Sequence, residues 1–313
     1  MSKNNHFDEL PSIPSEGGPD PPKLSVFQQH RGPLFAVAYR MLGSVTDAED
    51  VLQEAFIRWQ QAAGEVRSPR AFLVTIVTRL CINHLHSARV RREEYVGEWL
   101  PEPLLSDFRN DPSQVLHVDE SLSMAFLVLL ERLTPVERAV FLLREIFEYE
   151  YAEIAGIVGQ SEVNCRQILS RARQQLSKLR PRFRSSTAER TRLLERFLQA
   201  TSSGDMDGLI ELLAKEVVLL SDGGGKGLAV PNLILGADKV ARGILGSLQK
   251  LVPTNLLTRI ALINDQPGFV SYLNGQPFSV VTLEVGDGLI RAIHVLTNPE
   301  KLSHLPKLPS PPC

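Results

Sequence analysis

Cysteine is scarce in this sequence and never clustered. Cys81, Cys165 and Cys313 are far apart, with no CxxC pair, which excludes a disulfide framework and a thiolate zinc site. No apolar run reaches the roughly 18 residues needed to cross a bilayer. The opening stretch, MSKNNHFDELPSIPSEGGPDPPK, lacks the basic start and apolar centre of a secretory signal. The expectation is therefore a cytoplasmic protein with no membrane partner. That stretch is also too rich in Pro, Gly, Ser and acid to build a core, so residues 1–23 are expected to form a disordered tail. No internal repeat is visible.

Charge of one sign is likewise missing overall, the formal net charge being −2. Its distribution is uneven. Between Val163 and Ala188 there is no acidic residue, while Arg166, Arg171, Arg173, Lys178, Arg180, Arg182 and Arg184 are basic. Another acid-free stretch carries Arg79, Arg89, Arg91 and Arg92, and acid gathers instead at Asp47, Glu49, Asp50 and Glu54. Segregation of this kind suits a protein that meets phosphates with some faces and protein with others. With 313 residues, of which 43% are hydrophobic and 22% charged, the chain has room for two or three ordinary globular domains.

The first block is helical. Ser44-Val-Thr46-Asp47 is a helix entry, followed by Ala48, Val51, Leu52, Ala55, Phe56 and Trp59 on a single apolar stripe. Asp50, Gln53 and Glu54 lie off that stripe. Ser68-Pro69 opens another helix, through Phe72, Ile76 and Leu80 to about Ala88. Trp99 to Gln114 holds three prolines and no period, so it reads as a linker or an ordered loop. Helices resume over about Val118–Leu133 and Pro135–Phe147. His84 and His86, at i and i+2, do not share a helix face and are rejected as metal ligands.

The most specific local pattern runs from Glu153 to Arg173. Small Ala155 allows close helix contact, Gly159 supplies a turn, and Ser161 can cap the next helix near Asn164. Cys165 and Ile168 then face inward. This is helix-turn-helix spacing. The second helix presents Glu162, Asn164, Arg166, Gln167, Ser170, Arg171 and Arg173, side chains suited to base edges and phosphates in a major groove.

After Pro181 the texture changes. Helices over about Arg190–Ala200 and Asp207–Ala214 lead into a strand at Val217–Leu220, then an Asp222-Gly-Gly-Gly-Lys226 loop and a helix over about Gly236–Lys250. Strands broken at Pro267-Gly268, Asn274-Gly275 and Asp287-Gly288 complete an α+β domain, the last two breaks being hairpin signals. Asp222 beside Lys226 can be read as a general base with a cationic neighbour. It can equally be a tight turn or an interface, which is the favoured reading. The Gly-x4-Gly-Lys spacing of a P-loop is absent.

With these residues in view, the chain resembles the extracytoplasmic-function RNA polymerase sigma factors. Phe35 to Gly43 and Asp47 to Phe56 look like sigma region 2. The resemblance implies that Asp50, Gln53 and Glu54 dock on the β′ clamp helices of core polymerase. Phe72 to Arg92 is similar to the helices that melt and read the minus-ten promoter element, with Asn83, Ser87, Arg89, Arg91 and Arg92 as contacts to single-stranded bases. Leu133-Thr-Pro-x-Glu137-Arg138 and the helix-turn-helix look like region 4, which reads the minus-thirty-five duplex. Trp99-Leu-Pro-Glu-Pro103, Asp222 to Lys226 and Asn298-Pro-Glu-Lys-Leu302 resemble the subgroup carrying a SnoaL-like, cone-shaped extension.

The implied layout is region 2 over residues 24–98, a linker over 99–118, region 4 over 119–183 and the extension over 187–302. Two all-α domains would thus precede one α+β domain. The resemblance implies a transcription initiator, not an enzyme, with no cofactor or metal. Its extension would fold back to regulate the sigma core, meeting Trp99 and Pro101 of the linker through Asp222, Gly223, Gly224, Gly225 and Lys226. A small ligand in the cone is one way to tip that balance, and the sequence names none. Two competing readings are a helix-turn-helix regulator with a ligand-binding domain, which leaves the first block without a role, and an isomerase or cyclase fused to a DNA-binding module.

Overall fold

Pro21 opens the first helix, α1 (Pro21–Leu42), three residues inside the expected tail. The computed structural model describes residues 21–63, 66–93, 95, 97–106, 122–177, 185–229 and 232–308. Residues 1–20 of the expected tail and 107–118 of the expected linker lie outside them. Gly43, at φ 66°, ends α1 in the left-handed region that favours glycine. Ser44 then starts α2 (Val45–Gln61), its hydroxyl accepting from the Asp47 amide, and Ala48, Val51, Leu52, Ala55 and Trp59 are buried as the stripe required. The third helix, α3 (Pro69–Glu93), is longer than the sequence suggested.

Four helices form the second all-α module: α4 (Met124–Leu130), α5 (Pro135–Glu145), α6 (Tyr151–Val158) and α7 (Glu162–Ser177). Thr134 and Glu137 make a reciprocal capping box at the start of α5. Gly159, at φ 67°, separates α6 from α7, and Ser161 Oγ accepts from the Asn164 amide at 3.2 Å. Cys165 and Ile168 are buried. The helix-turn-helix is therefore built as its residues indicated. A single apolar core runs from α1–α3 into α4–α7. It is pinned by buried Arg138 of α5, which donates to the Met41 carbonyl at 2.6 Å and to Glu131 at 2.8 Å.

The remainder is a mixed sheet on helices. Helices α8 (Thr187–Ser203) and α9 (Met206–Leu212) precede β2 (Leu213–Asp222) and β3 (Ile234–Leu235). Helix α10 (Ala237–Lys250) leads to β4 (Leu257–Ile263), β5 (Gln266–Leu273), β6 (Gln276–Gly286), β7 (Leu289–Leu296) and the short α11 (Pro299–Leu302). Within the linker, Leu105–Ser106 forms β1 and adds to this sheet, whose order is β1-β4-β5-β6-β7-β2-β3. Helices α8–α10 pack on one face, around Phe197, Val217, Leu245, Val281 and Ile293. The other face carries Val270, Tyr272, Val280 and Leu296, covered by Leu100 and Leu105 of the linker, Val128 of α4, and Leu302 and Leu305.

Two sequence expectations change here. Pro267-Gly268 is not a break but part of β5; the turn before it is Asn264-Asp265, both at positive φ. The stretch expected to be a linker or an ordered loop contributes a strand. Asn274-Gly275 and Asp287-Gly288 do form turns with both residues at positive φ, as type I′ hairpins need. Among the described residues no helix is long and apolar enough to cross a membrane.

Candidate nucleic-acid interface and interdomain hub

Helix α7 turns Glu162, Val163, Arg166, Gln167, Ser170, Arg171 and Arg173 outward. They are not equally free. Arg166 pairs with Glu162 at 2.9 Å and stacks over Tyr151, and Arg173 is drawn back to Glu145 of α5 at 2.6 Å. Asn164 is half-buried and donates to Gln160 at 2.7 Å. Val163, 63% exposed near the start of α7, was missed by sequence reasoning because it is apolar.

On α3, Asn83 and Ser87 are exposed one turn apart, and the Ser87 hydroxyl donates to the Asn83 carbonyl. Arg89, Arg91 and Arg92 fall in its last turns; their side chains lie outside the described set. Arg79, also on α3, donates from Nε and Nη2 to the carbonyls of Ile157 and Gly156, each at 2.9 Å. The α3 helix is thereby tied to the C-terminal end of α6. On α2, Asp50 and Gln53 are exposed and Glu54 pairs with Arg58 at 2.8 Å. Ile57, 47% exposed, continues the same face at i+7 from Asp50.

The linker meets the sheet domain around Asp222, the last residue of β2, which is 0% exposed. One carboxylate oxygen accepts from Tyr95 Oη at 2.6 Å and the Gly224 amide at 3.1 Å. The other accepts from the Leu100 amide at 2.8 Å and Lys301 Nζ at 2.7 Å. Burial first, then the Asp222 carboxylate, push the Tyr95 phenol well above its ordinary range. The Lys301 ammonium also donates to the Leu100 carbonyl and lies 4.2 Å from the Trp99 ring centroid. Four donors occupy the four lone-pair sites of the carboxylate, so the general-base reading of Asp222 is dropped in favour of an interface. Gly223 is buried, and Gly224 and Gly225 take positive φ, with a side chain at Gly224 blocked by Asn298. Lys226 is not in the hub; it pairs with Glu300 at the surface. Pro101 is buried, and Asn264 exchanges hydrogen bonds with Leu104 while donating to Tyr39 Oη at 2.6 Å.

Residues 26–91 match the Sigma-70 region 2 family and residues 123–176 match Sigma-70 region 4. The chain is 35% identical to the ECF RNA polymerase sigma factor SigJ of Mycobacterium tuberculosis, over 91% of this chain and 94% of that protein. Its fold matches a crystal structure of M. tuberculosis SigJ with a TM-score of 0.74 and 33% identity, covering 90% of this chain and 98% of that one. This chain is an extracytoplasmic-function sigma factor. It is also 34% identical to SigG of M. tuberculosis, over 61% of this chain and 59% of SigG.

As a sigma factor the protein is not an enzyme; it recognises promoters and starts transcription with RNA polymerase core. The sigma factor's two helical modules are α1–α3 and α4–α7, followed by the mixed-sheet domain. Sequence reasoning named Trp99, Pro101 and Asp222 and quoted the segments that hold Glu102 and Lys301 without giving those two a role, and it missed Tyr95 and Asn264 altogether. Their partners lie up to 225 residues away, and no local spacing signals them.

Proposed function

We propose that this sigma factor rests in a closed state, fastened by its C-terminal domain, and that polymerase and promoter DNA open it. The carrying observation is Arg79. It sits in the helix assigned to the minus-ten element, yet its guanidinium is bound to carbonyls of the first helix of the helix-turn-helix. The two DNA-reading modules also share one apolar core. A sigma factor must reach two promoter elements set apart along the duplex, so modules packed side by side have to separate before both are read. The Asp222 hub and strand β1 tie the intervening linker to the sheet domain, which supports a regulatory role for that domain within the same chain.

In the open state, Asp50, Gln53 and Glu54, joined by Ile57, dock on the β′ clamp helices. Asn83, Ser87, Arg89, Arg91 and Arg92 hold the melted minus-ten strand. Gln167, Ser170, Arg171 and Val163 meet the minus-thirty-five groove first. Glu162, Asn164, Arg166 and Arg173 join once their present partners let go.

Run-off transcription with purified core polymerase tests the closed state. Arg79→Ala, which releases the two helical modules from each other without touching the linker, should reach half-maximal transcript at lower sigma concentration than the parent. Indistinguishable titration curves across a set of promoters would refute it. Asp50→Arg with Glu54→Arg tests the docking face, since that pair should abolish co-purification with polymerase without unfolding the protein.

A further inference from the structure

Helix α2 is only partly capped by its own N-cap residue. The first amides of any α-helix lack intrahelical acceptors, and Ser44 Oγ satisfies only that of Asp47, at 3.1 Å. The amides of Val45 and Thr46 donate instead to one carboxylate oxygen of Glu102, at 2.8 and 3.2 Å. The other oxygen accepts from the Ser44 hydroxyl at 2.9 Å. Glu102 belongs to the linker and is 7% exposed. Its own backbone is fixed on both sides, its amide donating to the Gly43 carbonyl at 2.8 Å and its carbonyl accepting from Tyr39 Oη at 2.6 Å. An anion at this end of a helix is favoured by the helix dipole as well as by the hydrogen bonds.

We infer that Glu102 is a positioning residue for polymerase docking: it holds the first turn of α2 and carries to that turn the grip of the C-terminal domain on the linker. The inference rests on the proposed docking face, since Asp50 lies in the turn that follows. The residues next to Glu102 are already in the grasp of the sheet domain. The Pro103 carbonyl accepts from His304 Nε2 at 2.8 Å. Leu104 accepts from the Asn264 amide at 2.8 Å and donates to its side-chain oxygen at 3.1 Å. Leu105 and Ser106 pair with β4. Glu102 touches neither polymerase nor DNA; it acts through α2. A first turn that frays in the free protein has to be rebuilt on docking, which weakens apparent affinity by the fraction of molecules that hold it formed.

The test is titration of labelled full-length protein with core polymerase. Glu102→Ala should weaken binding about tenfold, the scale of a lost helix cap. Hydrogen-exchange protection should fall at Val45 and Thr46 and persist in α7, which separates a local cap from general unfolding. Glu102→Gln, which keeps an acceptor and loses the charge, should fall between. Adding Thr46→Asp to Glu102→Ala returns a carboxylate to the first turn without the linker and should restore most of the affinity. Asn264→Ala, which removes the side-chain bonds to the Leu104 amide and to the Tyr39 hydroxyl that holds the Glu102 carbonyl, should weaken binding in the same direction and add nothing to Glu102→Ala. Unchanged affinity in Glu102→Ala, or a loss that Thr46→Asp fails to recover, overturns the cap. A silent Asn264→Ala overturns its link to the C-terminal domain. If Asp50→Arg with Glu54→Arg binds polymerase normally, the docking face itself is misplaced and the inference falls with it.

Discussion

Lys301 Nζ lies 2.7 Å from Asp222 Oδ2, and both side chains are buried where linker, sheet and α11 meet. Neither ion has water to fall back on. Removing one partner strands the other in a low-dielectric site, at a cost of about 3–5 kcal/mol. Asp222→Ala should therefore loosen the sheet domain more than Lys301→Met, whose long apolar chain still fills the space beside Trp99. Thermal unfolding of the full chain with limited proteolysis of the linker checks this ordering, and equal effects of the two would contradict it.

Gly43 makes the second junction. A Cβ there would lie 2.7 Å from the Trp99 ring, on a backbone already at φ 66°. Gly43→Ala should cost about 2–4 kcal/mol, from left-handed strain and overpacking together. Shrinking the neighbour with Trp99→Ala should relieve only the steric part, making the double variant less unstable than the two single losses added. Chemical denaturation of the four proteins is the measurement.

Which parts of this molecule were legible from the sequence follows from how local their causes are. The helix-turn-helix was readable because Gly159 and Ser161 act within a few residues, through one left-handed turn and one cap. The Asn274-Gly275 and Asp287-Gly288 hairpins were readable for the same reason. Pro267-Gly268 misled because glycine has a second use. A Cβ at Gly268 would come within 2.7 Å of Ile263 and of the Val281 carbonyl, so it serves close strand approach, not a turn. The actual turn uses Asn264 and Asp265, residue types that tolerate positive φ. The interdomain hub was half visible as three short segments, but Glu102 serving α2 and Asn264 meeting Tyr39 are tertiary facts that no periodicity encodes.

For region 4, the pairing seen on α7 separates two arginines that the sequence placed together. Arg171 is exposed and makes no ion pair among the described residues, whereas Arg173 is held by Glu145. In polymerase holoenzyme on a minus-thirty-five duplex, Arg171→Ala should reduce the salt dependence of binding by about one counterion. Arg173→Ala should change it far less, since breaking its pair offsets a phosphate contact. Equal slopes for both variants would mean that giving up the Glu145 pair offsets none of the Arg173 phosphate contact.

His294, on β7, is buried, and its Nδ1 lies 3.4 Å from the Thr282 hydroxyl across the strand pair. Burial pushes its pKa down to about 4 from an ordinary 6.5. A depressed histidine gives stability that is fully present above the unfolded value. It is lost as pH falls toward the folded value, because only the unfolded chain takes up the proton. The loss attributable to His294 should be about 2 kcal/mol by about pH 5. Glu284, raised by burial, works in the opposite direction, so the comparison must be with His294→Gln. That variant should show a shallower fall in denaturation midpoint between neutral and mildly acidic buffer, and parallel curves would exclude the effect.

Arg79 is the most direct test of closure because its bonds join two modules without lying in the apolar core they share. Its exposed guanidinium donates to carbonyls that a helix end leaves unsatisfied, so Arg79→Ala removes a tether and leaves those carbonyls to water. The expected stability loss is small, about 1 kcal/mol. The conformational consequence should be larger. With paired fluorophores on α3 and α7, the variant should populate the separated state more often before polymerase is added, and addition of polymerase should bring parent and variant to the same distance. An unchanged starting distance would show that the shared core around Arg138 and Met41 alone holds the modules together. Convergence with polymerase would assign Arg79 to the resting state only, leaving promoter reading to the face of α3 that carries Asn83 and Ser87.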